Sequence, residues 1–349
     1  MREVTPENAA AYLRETGRLP AGCAVKVVAL GWGVSNIVMR VDSEGRPPLV
    51  LKQSRERLRT QALWISRLDR IWIERDALQL LGRLLPNGTV PDLVFADDEN
   101  YLIAMTCAPD DSVVWKEQLL AGETNSAVAR SAGTILGTVH ADSVGDSALG
   151  GRLADTLVFD QLRIDPYYRT VARAHPDLGP RIDRLIDSMA TAPDRTFVHG
   201  DFSPKNMLVH SGGSGLMLVD FETAHAGDPA FDLGFFLSHL LLKAFRAAPG
   251  HEPYLDLTRQ FWERYCERAG IAPTNDRIGR AIAHTAGCAL ARIDGKSPVE
   301  YLDAKAQMAV RRFARAGLGA EFRAWESLLD LAVREMQAAT SGQGLSGGP

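Results

Sequence analysis

One short loop carries acidic and amide side chains at a spacing suited to phosphoryl transfer: His199-Gly200-Asp201-Phe202-Ser203-Pro204-Lys205-Asn206. Fourteen residues after Asn206 comes Asp220-Phe221-Glu222. Moving a phosphoryl group to a hydroxyl requires a carboxylate that orients the hydroxyl and receives its proton. It also requires hard oxygen ligands that hold Mg2+ on the phosphates. Asp201 has the first chemistry; Asn206, Asp220 and Glu222 have the second.

Phosphates need further groups, and these belong upstream. Gly31-Trp32-Gly33-Val34-Ser35-Asn36 lies between two predicted strands, where a tight turn brings backbone amides towards phosphates. The candidates there are Gly31, Gly33, Ser35 and Asn36, although a plain hairpin turn has the same composition. Sixteen residues after Asn36, the run Leu49-Val50-Leu51-Lys52 ends in a lysine, as does the kinase strand whose lysine contacts the α and β phosphates. Its partner is expected on the following helix: Glu74, with Glu56 and Asp76 as alternatives. Alone, Lys52 reads as a solvated strand end and Glu74 as a solvated helix face. Their order with an Asp-x4-Asn loop and a later Asp is that of the kinase phosphate, catalytic and metal elements.

His-Gly-Asp replaces the His-Arg-Asp of protein kinases. With these motifs, residues 25–318 resemble the aminoglycoside phosphotransferase and choline kinase superfamily, which phosphorylates small molecules on a protein-kinase-like fold. Several stretches are most similar to methylthioribose kinase. They are Leu51-Lys52-Gln53 with the long connection to Leu68-Asp69-Arg70 and Glu74, then Leu102-Ile103-Ala104-Met105, Trp115-Lys116-Glu117-Gln118, and the Asp-x-Glu of 220–222. Two departures are visible: that family lacks the asparagine present here as Asn206, and its late arginine pair becomes Ala291-Arg292.

The resemblance implies an α+β, two-lobed protein-kinase-like fold: a small antiparallel β-sheet lobe with one helix, and a larger mainly helical lobe. It implies ATP between the lobes, the adenine against backbone groups of Thr106 and Ala108, and Lys52 and the 31–36 loop on the phosphates. Mg2+ would be held by Asn206 and Asp220 with Glu222 nearby, Asp201 would orient the acceptor, and Asp232 would brace the catalytic loop. For the acceptor, a small molecule with a hydroxyl, it offers Arg292, with Trp262, Tyr265 and Asp294 as further lining. A sugar of the methylthioribose type is the first expectation; an aminoglycoside, choline or homoserine stays open, as does a non-catalytic nucleotide-binding pseudokinase. A polycationic antibiotic would call for convergent carboxylates.

The elements that must position these residues are legible in the hydrophobic pattern. Strand-like runs occupy 24–30, 37–41, 49–52, 93–96 and 101–105. Between the third and fourth, Leu68, Ile71, Trp72, Ala77, Leu78 and Leu81 recur at helical spacing. From residue 109 the chain reads as helical, with patterns over 128–139, 254–269, 277–293, 299–316 and 321–338. A hairpin interrupts them, 207–210 and 216–221 joined by a Ser/Gly turn. The division is therefore 1–108 for nucleotide handling, 109–340 for catalysis and acceptor choice, and a Ser/Gly tail at 341–349.

Composition narrows the partners. The 349 residues are 46% hydrophobic and 23% charged, a globular balance that rules out disorder as the main theme. Asp plus Glu number 43 against 39 Lys plus Arg, a formal charge of −4 without the basic excess of a nucleic-acid binder. The basic run from Lys52 to Arg70 alternates with acids and reads as a solvated face. Gly295-Lys296-Ser297 lacks the glycine and the preceding strand of a Walker loop. The four cysteines fit no zinc or redox spacing. His225, His239 and His284 show no metal spacing and read as ordinary buried or capping residues. The N-terminus lacks a signal-peptide plan, and the most apolar stretch, 233–242, has half the length a bilayer needs. The expectation is a cytoplasmic monomer or homodimer with no membrane and no nucleic-acid partner.

Overall fold

The computed structural model describes residues 1–31, 36–55, 66–270 and 276–341. Five strands form one antiparallel sheet in the order β1-β2-β3-β5-β4: β1 Val25–Ala29, β2 Asn36–Ser43, β3 Leu49–Ser54, β4 Leu93–Asp97 and β5 Leu102–Thr106. All five match the apolar runs to within two residues at each end. Alternation along the strands divides the sheet into two faces. Ile37, Met39, Val41, Leu51, Leu102 and Ala104 pack under helix α1 (Ala9–Glu15) and Val4, while Ile103 and Met105 join the main core on the other side. Helix α1 has only two buried non-alanine side chains, Tyr12 and Leu13, too few for a recognisable stripe. Helix α2 (Arg70–Leu84) packs Ile71, Ile73, Ala77, Leu78 and Leu81 into the main core.

The rest of the chain is mainly helical. After the short strand β6 (Val113–Val114) come α3 (Trp115–Ala121) and α4 (Ser126–Asp142). A continuous helical stretch follows: α5 (Leu157–Phe159), a π-wound segment Asp160–Arg169 containing Pro166, and α6 (Thr170–Ala174). Helix α7 is Gly179–Ala190; the remaining helices are α8 (Ala230–Ala247), α9 (Glu252–Ala269), α10 (Asp276–Asp294), α11 (Ala304–Gly319) and α12 (Trp325–Thr340). Helix α8 is buried from Ala230 to Phe245 and packs against α9, α10, α11 and α12, so it reads as apolar all round. Its Gly234 lets α10 approach closely: a Cβ there would stand 2.3 Å from His284 Cβ. Among the described residues no helix is long and apolar enough to cross a membrane.

A hairpin of β8 (Met207–His210) and β9 (Gly215–Leu218), and a pair of β7 (Thr196–Val198) and β10 (His225–Gly227), are set into this helical body. Three expectations need correction, the simplest being the last helix, which begins at Trp325 rather than 321. The second hairpin strand stops at Leu218 rather than 221, because Asp220 adopts a left-handed φ of 70° that ends the extended backbone. The helical pattern from 299 begins only at Ala304, where Asp303 accepts from the Ala306 amide at 2.7 Å as an N-cap. Cys23, Cys107, Cys266 and Cys288 are free thiols.

Candidate active site

Strand alternation decides where Lys52 goes. Leu51 faces α1, so Lys52, between Val38 and Ile103 on the neighbouring strands, faces the helical body. Its Nζ lies 2.5 Å from Glu74 Oε2 on α2 and 2.6 Å from Asp220 Oδ1 after β9. Of the three acidic candidates, Glu74 is thus the partner; Asp76 pairs with Arg75 and Arg152, and Glu56 lies outside the described residues. Burial alone would strip the charge from Lys52, but Asp220, Glu74 and Glu222 hold its pKa above the ordinary lysine range. Burial lifts Glu74 to about 7 against the pull of Lys52. Asp220 moves the other way: Lys52 and Lys205 outweigh its burial and hold it below the usual carboxylate range.

The catalytic-type loop is held by the start of α8. Asp232 accepts from the backbone amides of His199 at 2.7 Å and Gly200 at 2.9 Å, the bracing role expected of it. His199 Nδ1 in turn receives the Asp201 amide at 3.3 Å, so this histidine supports the loop. Gly200 has φ 74°, and a Cβ there would meet the Thr223 carbonyl oxygen at 2.6 Å, so only glycine fits. Asn206 closes the loop by donating from Nδ2 to the Asp201 carbonyl at 3.0 Å.

Asp201 itself has a neighbour that no motif announces. Arg163, in the π-wound segment, places Nη2 at 2.8 Å from Asp201 Oδ2 and donates from Nε to the Gly200 carbonyl at 2.7 Å. Lys205, four residues on, brings Nζ to 2.7 Å from the same Oδ2. Asp201 Oδ1 is buried and accepts no hydrogen bond from any described residue. One carboxylate oxygen is therefore anchored, and the other is buried without a partner among the described residues.

Glu222, two residues beyond Asp220, is bound by side chains of the sheet and of α2. Its Oε2 accepts from Asn36 Nδ2 at 2.7 Å and from Arg70 Nε at 2.9 Å, and Arg70 also donates to Asn36 Oδ1 at 3.2 Å. Arg70 is fully buried at the start of α2, and Asn36 opens β2. These three side chains tie the sheet, α2 and the 220–222 segment into one buried clasp. The Asn36 side chain is likewise engaged in that clasp, and Gly33 and Ser35 lie outside the described residues.

A cleft of about 520 Å³ runs between the sheet and the helical body, lined by Lys52, Glu74, Thr106, Ala108, Lys205, Asn206 and Asp220. Gly31 lies beside a smaller pocket with Glu3 and Arg55. Among the described residues no cluster of three or more His, Cys, Asp or Glu forms a ready-made metal centre. Of the acceptor residues expected from sequence, Arg292 is half-buried and donates to Tyr167 Oη at 3.3 Å and Ser297 Oγ at 3.0 Å. Trp262 stacks on Trp325, Tyr265 is buried against His140 and Arg277, and Asp294 pairs with Arg311 and His175. The two aromatic residues pack in helix interfaces, where helical spacing sends them, and Asp294 is held in a half-buried ion-pair network.

Comparison with known proteins agrees with this geometry. A methylthioribose kinase of Bacillus velezensis is 25% identical over 294 residues, 75% of this chain and 73% of its own length. The structure of a macrolide 2'-phosphotransferase from Brachybacterium faecium aligns with a TM-score of 0.54 over 99% of this chain and all of its own, at 19% identity. An amicoumacin kinase solved with AMP-PNP and Ca2+ aligns with a TM-score of 0.52 over 87% of this chain and 91% of its own, at 16% identity. These structures share a two-lobed, protein-kinase-like fold. The profile described as "Phosphotransferase enzyme family" matches residues 26–269, and the chain belongs to that family of small-molecule kinases.

Proposed function

We propose that this protein transfers the γ-phosphoryl group of ATP to a hydroxyl of a sugar-like small molecule. The observation that carries the reading is the Lys52 ammonium bridging Glu74 and Asp220 across the cleft from the Asp201 loop. This is the arrangement phosphoryl transfer uses to hold phosphates and acceptor in line. The sugar class is supported by the methylthioribose kinases among its relatives.

In this reading the adenine lies against Thr106 and Ala108, and Lys52 contacts the phosphates. The donor set suits Mg2+, because the Asn206 amide oxygen and the Asp220 carboxylate are hard ligands on one cleft wall. When bound, the ion would neutralise charge on the phosphates. Asp201 receives the hydroxyl proton at its free Oδ1, while Arg163 and Lys205 fix Oδ2. Lys205, half exposed to the cleft, is placed to meet charge developing on the transferred group. Glu222 acts as the clasp on Arg70 and Asn36. We also assign nucleotide handling to residues 1–108 and catalysis to 109–340.

The test is ATP consumption with a panel of sugars, amino alcohols and aminoglycosides, comparing the wild type with Asp201→Ala and Asp220→Ala. Each variant is expected to lose at least a hundredfold in kcat, the range of general-base and charge-stabilising groups. Full transferase activity in Asp201→Ala would remove that residue from the mechanism. ATP binding without turnover on any acceptor would favour a non-catalytic nucleotide-binding protein.

A further inference from the structure

Beyond Asp201, the helical body gathers cations that make no ion pair with any described carboxylate. Lys243 is 1% exposed near the end of α8; its Nζ donates to the His239 carbonyl at 3.0 Å and stands 5.6 Å from the Tyr301 ring. His239, one turn earlier on the same face, is buried with Nε2 unpartnered among the described residues. Arg292 Nε and Tyr301 Oη are buried and unpartnered in the same sense. No described carboxylate makes an ion pair with Lys243, Arg292 or Lys116. The charges acting most strongly on Lys243 are Lys116, Arg292 and Arg246, all of its own sign, and burial together with them lowers its pKa to about 7. Glu117 and Glu300 act on Lys116 alone of this group, and both are exposed.

The cluster is continuous with the catalytic loop. Arg163, the partner of Asp201, stands 5.5 Å from the Phe235 ring and 6.0 Å from the Tyr167 ring. Phe235 packs on His239 at 5.0 Å, and Tyr167 accepts from Arg292. Lys243 lies eight residues, about 12 Å, along α8 from Phe235. A buried ammonium beside unpartnered polar atoms is unfavourable; with no anion present the lysine is driven towards its neutral form, and an anion would restore its charge and complete the set. Convergent carboxylates, which a polycationic acceptor would need, are missing from this set of described residues.

We propose that the acceptor is an anionic sugar, carrying a phosphate or carboxylate on the same molecule as the reacting hydroxyl, and that Lys243, Arg292, Lys116, His239 and Tyr301 bind that anion. This rests on the kinase reading above and narrows its acceptor.

The experiment pairs neutral and anionic probes: ribose with ribose 5-phosphate, glucose with gluconate, and kanamycin and choline as cations. Melting temperature and ATP consumption are read for wild type, Lys243→Met, Arg292→Gln and Lys116→Gln. An anionic probe raises the melting temperature and has a KM at least tenfold below its neutral counterpart. Lys243→Met raises that KM tenfold or more with kcat little changed, and raises the melting temperature of the ligand-free protein, which a merely structural lysine would not do. If Lys243→Met does not fold, Arg292→Gln and Lys116→Gln, at half-buried positions, carry the same KM readout. Preference for a neutral or cationic acceptor, or no lysine- or arginine-dependent response to either anionic probe, overturns the proposal. Transfer to neutral sugars would leave the kinase reading standing and sink the anion site. An anion-induced, Lys243-dependent rise in melting temperature with no ATP consumption would do the reverse.

Discussion

Lys52 and Lys243 are both buried ammonium groups, and their neighbours push them in opposite directions. Asp220, Glu74 and Glu222 surround Lys52 and keep it charged at any physiological pH. Lys243 faces Lys116, Arg292 and Arg246, with His239 beside it on α8, and titrates at about 7. An unfolded lysine titrates near 10.5, so between the two values the unfolded chain binds more protons and stability rises with pH. Below about pH 7 the buried charge costs on the order of a few kcal/mol, and above the unfolded pKa it costs nothing. Lys243→Met is therefore expected to exceed the wild type in melting temperature most at pH 6 and to converge with it towards pH 10. A pH series of thermal melts checks this; parallel curves would place a counterion beside Lys243.

At the scale of elements, the loops and clasp around the Lys52–Glu74 pair are assembled from ends. The first residue of β2 supplies Asn36, the first of α2 supplies Arg70, the turn after β9 supplies Asp220 and Glu222, and the first turn of α8 supplies Asp232. Ends carry unsatisfied backbone groups and irregular dihedrals, so they can be tied by side chains where strand and helix interiors cannot. The left-handed Asp220 is one such strained point. Glu222→Gln tests the clasp. It leaves Arg70 buried beside a neutral partner and is expected to cost about 3 kcal/mol of stability. The Mg2+ concentration for half-maximal activity should stay where it is in the wild type. A tenfold rise in that concentration with unchanged stability would return Glu222 to the metal site.

Across the whole molecule, the two lobes meet through charge. Lys52 and Glu74 come from the sheet lobe and Asp220 from the helical one, and the Thr89 carbonyl accepts from the Leu218 amide at 2.8 Å. A nucleotide bound here, as proposed, would contact both sides and stabilise the folded chain by linkage. At a hundredfold excess over Kd, ATP with Mg2+ should add about 2.7 kcal/mol, a rise of a few degrees in melting temperature. Chelation with EDTA should remove most of it, and Asp220→Ala should respond little to Mg2+. An equal shift with and without divalent ion would separate nucleotide binding from the metal.

Much of this protein is written locally. The five sheet strands and the helix bearing Glu74 follow from apolar periodicity, and the Asp201, Asn206 and Asp220 loops follow from spacing within some twenty residues. These features depend on neighbours along the chain, so a single sequence determines them. What only the tertiary structure decided are pairings across long separations. Arg163 reaches Asp201 across 38 positions from a π-wound segment with no motif, and Glu222 turns to Asn36 and Arg70 across 186 and 152. The cation cluster draws on α3, α8, α10 and the 295–303 connection; of its members only Arg292 was offered as an acceptor residue by the sequence, and Lys243 and His239 lie in a helix whose pattern reads as ordinary packing. Burial turns a lysine in an apolar helix from a surface residue into an unpaired charge, and burial is settled by which helices surround it. The residues proposed to carry out transfer were therefore legible as motif loops, while the charge proposed for the acceptor came from the packing around α8.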